Sequence, residues 1–149
     1  MRAVVQRVSS ARVLVDGASM GAIGSGVVVL LGIAPEDADP EVSWVADKIG
    51  HFRIFNDADG KMNLSLLDVG GEALLVSQFT LYGDARRGRR PSFVKAAQGP
   101  EAEAVYEKVK EALSGLGIKT ATGRFGAMMN VELTNEGPVT ILLDSEKMF

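Results

Sequence analysis

The chain has no cysteine and only one histidine, His51, among its 149 residues. Without cysteine there is no disulfide framework, no thiolate metal site and no cysteine nucleophile. A zinc or iron site needs several histidine, cysteine or carboxylate ligands, so a single histidine also argues against a metal centre. We therefore expect no bound metal, and a disulfide-stapled secreted protein is excluded.

Long apolar runs and a strong net charge are also missing. No run approaches the roughly 20 residues that cross a bilayer, and the first eight residues alternate with charge instead of forming a signal peptide. We expect a cytoplasmic protein without a membrane partner. The net charge of −3 is not that of a general polyanion-binding surface. We expect no DNA partner, and any contact with nucleic acid must be local.

The remaining composition is that of a globular protein, with 46% apolar and 23% charged residues, and the length suits one domain over residues 1–149. The hydrophobic pattern predicts many short strands and two helices. One helix starts at Asp39-Pro40, with Asp39 as N-cap, and closes at Gly50, and the other starts at Pro100. The predicted strands and apolar segments are 3–8, 11–15, 18–23, 27–33, 52–55, 62–67, 74–76, 118–122, 126–133 and 139–143, with a turn at 134–138. This predicts an α+β fold, with a curved or barrel-like, mainly antiparallel sheet that carries both helices.

The stretch from Leu74 to Asp84 is the most informative part of the chain. An apolar run with the character of a buried strand is followed directly by the polar side chains Ser77, Gln78 and Thr80 and then by a glycine turn. The end of a strand is where a sheet presents polar groups to a ligand, because polar groups inside it need hydrogen-bond partners. The same alternation fits Gln78 and Thr80 facing solvent, and the pattern does not separate the two interpretations.

Conventional catalytic bases are scarce. A serine triad through Ser77 would need His51 to meet it in space, and a structural role for this lone histidine is favoured. No phosphate-binding or dinucleotide-binding glycine motif is present, so we expect no nucleotide cofactor. An enzyme with this composition has to act on a labile bond or borrow a group from its substrate.

Four arginines within five residues form the sharpest charge feature of the chain: Arg86, Arg87, Arg89 and Arg90. Arginine forks match phosphate oxygens, so this arginine loop is favoured as a phosphate contact over a merely solvated loop.

Two motifs together resemble the D-aminoacyl-tRNA deacylase family. They are Ser77-Gln78-Phe79-Thr80-Leu81 and Asn135-Glu136-Gly137-Pro138-Val139-Thr140. Four further segments fit in the same order, at 3–8, 60–66, 90–93 and 122–129, so the resemblance covers about residues 1–145. It departs from the family in the arginine loop, where a lysine-glycine version is more usual.

The resemblance implies a cofactor-free homodimer that hydrolyses the ester between a D-amino acid, or glycine, and the terminal adenosine of tRNA. It implies a catalytic region at Ser77, Gln78, Phe79 and Thr80, with Phe125 and Met129 lining the pocket. It further implies a cis Gly137-Pro138 bond that reaches into the partner subunit's pocket and excludes L-amino acids. The arginine loop would then contact tRNA.

The chemistry admits two mechanisms. In the favoured one, the vicinal hydroxyl of the adenosine assists, and backbone N–H groups near Phe79 and Thr80 stabilise the oxyanion. Direct attack by Thr80 ranks second, because a threonine without a neighbouring base is a poor nucleophile. Two alternatives to this function are a general serine or threonine esterase and a non-catalytic RNA-binding β-domain. The second needs a platform of aromatic side chains, which 6% aromatic residues do not indicate.

Overall fold

The structure is a computed structural model that describes residues 1–148. Within them, eight strands and two α-helices follow one another, with a 3₁₀ turn at Phe79–Tyr82 between β6 and α2. The bounds in chain order are β1 (Arg2–Val15), β2 (Ala18–Ile23), β3 (Gly26–Gly32), α1 (Asp39–His51), β4 (Phe55–Asn56), β5 (Met62–Leu64), β6 (Glu72–Ser77), α2 (Gly99–Gly115), β7 (Thr120–Thr122) and β8 (Asn130–Asp144).

Strand β1 organises the main sheet because it pairs antiparallel with three others. Its first half lies between β3 and β8, and its second half lies between β2 and β8. The other side of β3 pairs with β6, and β6 pairs with β7, both in parallel. The sheet is therefore mixed, although the pairings of its longest strands are antiparallel.

The sheet curls until β2 approaches β7, which gives it a nearly closed, barrel-like form. The contact depends on Gly21 of β2, because a Cβ at this position would come within 2.5 Å of the carbonyl oxygen of Thr122. The strands can approach this closely only where one of them lacks a side chain.

The two helices pack on one face of the sheet over the larger apolar core. Val42, Val45, Ala46 and Ile49 of α1 are buried, as their spacing predicts. Tyr106 of α2 is also buried, and its hydroxyl donates a 2.8 Å hydrogen bond to the carbonyl of Leu75. That bond fixes α2 to the strand that ends at Ser77. A second apolar cluster lies on the opposite face.

The largest error of the sequence prediction concerns β8. Residues 126–133 and 139–143 are not two strands around a turn, since β8 runs without a break from Asn130 to Asp144 and pairs along β1. Glu136-Gly137-Pro138 forms a local excursion from the β1–β8 ladder, which is why its sequence resembles a turn. The chain nevertheless continues in the same direction after the excursion. Pairing with the long β1 overrides the local turn preference.

Smaller differences affect element ends. Residues 3–8 and 11–15 form one strand with register shifts, and the strand predicted at 52–55 is reduced to Phe55–Asn56. Helix α1 has Ala38 as its N-cap instead of Asp39, and it runs through Gly50 to His51. Its start is fixed by Glu41, whose carboxylate accepts a 2.9 Å hydrogen bond from the Ala38 amide.

The predicted α+β class with a barrel-like sheet and two helices is confirmed. In the part of the chain described, no helix combines the length and apolar character that a membrane span requires.

Because β2 and β7 approach closely at Gly21, we expect a single added methyl group to lower the free energy of unfolding at this position and not at an open one. Gly21→Ala should lower the free energy of unfolding in urea by about 1–3 kcal/mol, because the methyl group overpacks against Thr122. Gly24→Ala is the matched control, since no atom lies within 4 Å of its added Cβ, and it should stay within about 0.5 kcal/mol. Equal values for both variants would contradict the closed arrangement.

Candidate active site

Strand β6 ends at Ser77 on the rim of the barrel, and the chain then turns into the 3₁₀ turn that carries Phe79 and Thr80. The turn is held to the sheet by the backbone N–H of Gln78, which donates a 2.7 Å hydrogen bond to the carbonyl of Leu31 on β3. A second hydrogen bond runs from the Gln78 side-chain amide to the Thr80 hydroxyl. The polar residues at the strand end are thus locked in place.

A depression with two lobes surrounds Ser77, and we call it the Ser77 pocket. Its aromatic lobe has a volume of about 300 Å³ and its methionine lobe one of about 330 Å³. Both lobes share Ser77, Phe79 and Gly126. The aromatic lobe adds Ala97, Gln98, Gly99 and Phe125, and the methionine lobe adds Val76, Gln78, Ala127, Met128, Met129 and Val131.

The two aromatic walls are each supported by another ring. Phe79 is half exposed and meets Phe93 edge-on, with ring centroids 5.1 Å apart. Phe125 packs against the buried Tyr106, with ring centroids 5.5 Å apart. This is an arrangement suited to a flat ligand, because the two rings border one lobe and their supports restrict their motion.

Most of the residues predicted for the site meet in this pocket. Ser77, Gln78, Phe79, Phe125 and Met129 line it, whereas Thr80 lies on the adjoining turn with its side chain exposed. Gln98 and Gly99, at the start of α2, were missed. No local signal marks them, because the loop before α2 reaches the site through contacts between residues distant in sequence, such as the hydrogen bond from the Ala97 amide to the Ile33 carbonyl.

His51 is remote from these residues. It lies at the exposed end of α1, where its Nδ1 is 3.0 Å from the carbonyl oxygen of Asp47 one turn earlier. A triad through Ser77 is therefore excluded. The Thr80 hydroxyl is hydrogen-bonded to an amide and not to a base, and within residues 1–148 the amides of Phe79 and Thr80 have no backbone acceptor.

The arginine loop begins as a short hairpin above Phe93, closed by two hydrogen bonds between Asp84 and Ser92. Arg86 binds Asp84 with its guanidinium and backbone amide, which holds the pKa of the Asp84 carboxyl well below its usual range. The side chains of Arg87, Arg89 and Arg90 are exposed and form no ion pair in the described structure. Three of the four charges are therefore free to meet a ligand.

Gly137 and Pro138 lie at the exposed tip of the excursion in β8, and the bond between them is cis. The φ of Gly137 is 139°, and a Cβ there would come within 3.0 Å of Arg7. Only glycine fits this conformation and this space.

Arg7 and Asn135 hold the excursion, which we call the Gly-Pro loop (residues 136–138). The buried Arg7 guanidinium donates to the carbonyls of Glu136, at 2.9 Å, and Ile54, at 2.5 Å. Asn135 closes the loop by exchanging hydrogen bonds with the backbone of Val139. A charged residue on the buried side of an alternating strand is a signal that could have identified Arg7 from the sequence.

Register shows that the loop is far from the pocket of its own chain. Ser77 lies in one row with Leu31 of β3, Ala3 of β1 and Leu143 of β8, whereas the loop lies opposite Arg7. The two are thus three strand spacings and four residues apart, or about 19 Å along the sheet. The structure therefore does not bring Gly137 and Pro138 together with the other predicted site residues within one chain.

The hydrogen bonds of Asn135 predict a local stability effect. Asn135→Ala should lower the free energy of unfolding by about 1–3 kcal/mol, because the loop backbone loses its side-chain partners. Asn130→Ala, at an exposed position of the same strand, serves as control and should change stability by no more than about 0.5 kcal/mol. Urea unfolding measures both, and an equally small effect at Asn135 would show that the loop does not depend on it.

Comparison with known proteins agrees with this architecture. The family model described as D-Tyr-tRNA(Tyr) deacylase matches residues 4–144. A curated D-aminoacyl-tRNA deacylase of Desulfatibacillum aliphaticivorans is 62% identical over 98% of this chain and 100% of its own length. One of Thermotoga petrophila is 55% identical over the full length of both chains.

A solved structure titled c-Myc DNA Unwinding Element Binding Protein superposes with a TM-score of 0.91 at 42% identity, covering 97% of this chain and 99% of that one. The family model spans nearly the whole chain, and the curated relatives match it end to end. The chain therefore belongs to the D-aminoacyl-tRNA deacylase family, a family of hydrolases that act on ester bonds.

Proposed function

We propose that this protein hydrolyses the ester that joins a D-amino acid, or mischarged glycine, to the terminal adenosine of tRNA. The observation that carries the proposal is the Ser77 pocket, which combines two supported aromatic walls with hydroxyl and amide groups but offers no side-chain base. Such a pocket suits an activated ester attached to a purine nucleoside. The names of the curated relatives support the same substrate.

The aromatic lobe takes the adenine in this proposal. Unstacked bases bind proteins by stacking on aromatic side chains, and Phe79 and Phe125 both border this lobe. Adenine placed there brings the ribose and its ester to Ser77, where the aromatic and methionine lobes meet. The aminoacyl group then extends into the methionine lobe.

Catalysis relies on positioning and on the substrate itself. An aminoacyl ester is activated, so it asks less of the enzyme than an amide does. Within residues 1–148 the amides of Phe79 and Thr80 have no backbone acceptor, and Phe79 borders both lobes while Thr80 follows it on the adjoining turn, so these amides would stabilise the developing oxyanion. The vicinal 2′-hydroxyl assists the attacking water. Thr80 stays second as a nucleophile, because its partner Gln78 is an amide that cannot take up its proton.

The Gly-Pro loop supplies the chiral filter from a second copy of the chain. It is rigidly held and exposed, and about 19 Å separates it from the pocket of its own chain. A partner's loop over the methionine lobe would clash with the side chain of an L-amino acid and leave room for a D-side chain. Selectivity then comes from exclusion, which cannot reject glycine.

The sheet face between pocket and loop suits such a dimer. One row of paired residues crosses it, from the exposed Leu142 through the partly buried Val4 and Leu30 to Val76 at the pocket. Leu142 is an exposed large apolar side chain, and the partly accessible Val4 and Leu30 extend its apolar surface, which favours an interface here. Consider a twofold axis that lies parallel to this face, passes above Val4 and Leu30 and runs perpendicular to the line from the pocket to the Gly-Pro loop. Such an axis would place each Gly-Pro loop over the other subunit's pocket.

The arginine loop contacts the tRNA backbone in this proposal. It rises beside Phe79 through the contact between Phe79 and Phe93, so it is close to the path of a strand that ends in the aromatic lobe. The three guanidinium groups that form no ion pair within residues 1–148 would meet phosphates, whereas Arg86 is already neutralised by Asp84.

The reaction gives the direct test. The protein should release amino acid from D-Tyr-tRNA and Gly-tRNA and leave L-Tyr-tRNA intact. Thr80→Ala should retain most of this activity, and D-Tyr-tRNA with a 2′-deoxy terminal adenosine should be cleaved poorly. Release is measured from purified tRNAs charged with labelled amino acid.

Two results would change the assignment. An acyl-enzyme trapped on Thr80 would restore the nucleophile mechanism. Binding of tRNA without release of any amino acid would instead favour a non-catalytic RNA-binding domain.

The arginines predict a change in salt dependence. Replacing Arg87, Arg89 and Arg90 by Ala should weaken tRNA binding and reduce the slope of log K against log salt by about 0.7–0.9 for each phosphate that the protein no longer neutralises. Arg86→Ala should have a smaller effect, because Asp84 already neutralises that side chain. Arg53→Ala, an exposed arginine on another part of the surface, is the charge control. An unchanged slope in the triple variant would mean that the loop is only solvated.

A further inference from the structure

A separate cavity of about 430 Å³ lies on the other side of the loop that leads into α2. Its apolar walls include Ile33 and Val105, and its polar groups are Asp37, Gln98 and Glu101. We call it the Glu101 cavity. It shares Ala97 and Gln98 with the aromatic lobe, so the two are separated by a single short segment of backbone.

The polar groups of the cavity are not equally available. Both carboxylate oxygens of Asp37 are engaged, one by the Met1 ammonium group at 2.6 Å and one by the Ala34 amide at 2.7 Å. Glu101 is exposed and forms no ion pair in the described structure, and Gln98 is also exposed. The cavity therefore offers one free carboxylate and one free amide between apolar walls.

We infer that the Glu101 cavity binds the base of the penultimate nucleotide of the tRNA, a cytosine, while the aromatic lobe holds the terminal adenine. This inference rests on the proposed function, because it extends the same bound strand by one nucleotide. The shared wall at Ala97 and Gln98 makes the two cavities neighbours, as consecutive unstacked bases require.

Cytosine fits the polar groups better than any base that lacks an amine at the same position. Its exocyclic amine donates, and a carboxylate such as Glu101 accepts, which is a pairing that proteins use to read cytosine. Gln98 can donate to the ring nitrogen or carbonyl oxygen, because its amide has both donors and an acceptor. Uracil presents a carbonyl oxygen in place of the amine, and the Glu101 carboxylate repels it.

The phosphate has to stay outside the cavity, since Asp37 and Glu101 are both acidic. A neighbouring depression shares Ala34 and Pro35 with the cavity, and its charged side chains are Arg2, Lys95, Glu36 and Glu146. Arg2 is paired with Asp144, whereas Lys95 is exposed and forms no ion pair in the described structure, so Lys95 is the cation available beside the acidic cavity. It follows the arginine loop along the chain. This separation of charge matches a nucleotide with its base inside and its phosphate at the rim.

The test compares D-Tyr-tRNA that has the natural penultimate cytidine with the same tRNA carrying uridine there, both charged chemically. For the unaltered protein, kcat/KM should fall about tenfold with uridine, as expected for the loss of one hydrogen bond to a charged group. Glu101→Gln should bring the two substrates within about twofold, because the amide can donate to the uracil oxygen. Glu103→Gln removes the same charge from the exposed side of α2 and should preserve the tenfold preference.

Three results would overturn the inference. The first is that the unaltered protein cleaves the cytidine and uridine substrates equally. The second is that Glu101→Gln lowers both rates by the same factor and keeps the preference for cytidine. If neither substrate is cleaved, the proposed function fails and the inference falls with it. Cleavage of both without a preference overturns the inference alone.

Discussion

The Arg7 guanidinium is the group on which the geometry of this protein most depends. A buried charge costs several kcal/mol unless hydrogen bonds compensate for it. Here two backbone carbonyls do so, Glu136 on β8 and Ile54 in the segment after α1. The same group fills the space that a side chain on Gly137 would need. One side chain therefore interrupts the β1–β8 ladder, shapes the Gly-Pro loop and ties it to the helical side of the sheet.

The sequence predicts the fold class correctly, and most of the residues that it predicts for the site line one pocket. Alternation and glycine positions locate most strands, and the apolar spacing of α1 is confirmed residue by residue. The polar residues that follow Val76 indicate the pocket because a buried strand has to end where they begin. Local patterns fail at residues 134–138, where glycine and proline indicate a turn but pairing with β1 keeps the chain extended. They also miss Gln98 and Tyr106, whose roles arise from contacts between elements distant in sequence.

The proposed division of labour explains the composition. A site that excludes wrong substrates by backbone shape and borrows a hydroxyl from its substrate has no need of histidine, cysteine or metal. It needs rigid backbone instead, which the hydrogen bonds of Gln78, Asn135 and Arg7 provide. Affinity then comes from stacking in the aromatic lobe and from the arginine loop, so recognition of the tRNA end and rejection of the L-amino acid depend on different parts of the molecule.

Mixed dimers give the sharpest measurement of whether the chiral filter acts across subunits. One variant loses its pocket through Gln78→Ala and Phe79→Ala, and the other loses its filter through substitution of Gly137 and Pro138 by Ala. Alone, the filter variant should hydrolyse L-Tyr-tRNA as well as D-Tyr-tRNA. When an excess of the pocket variant is added and subunits exchange, each intact pocket acquires an intact loop, and L-Tyr-tRNA hydrolysis should disappear while D-Tyr-tRNA hydrolysis continues. If L-Tyr-tRNA hydrolysis stays unchanged after exchange, the filter and the pocket belong to the same chain and the cross-subunit filter is wrong.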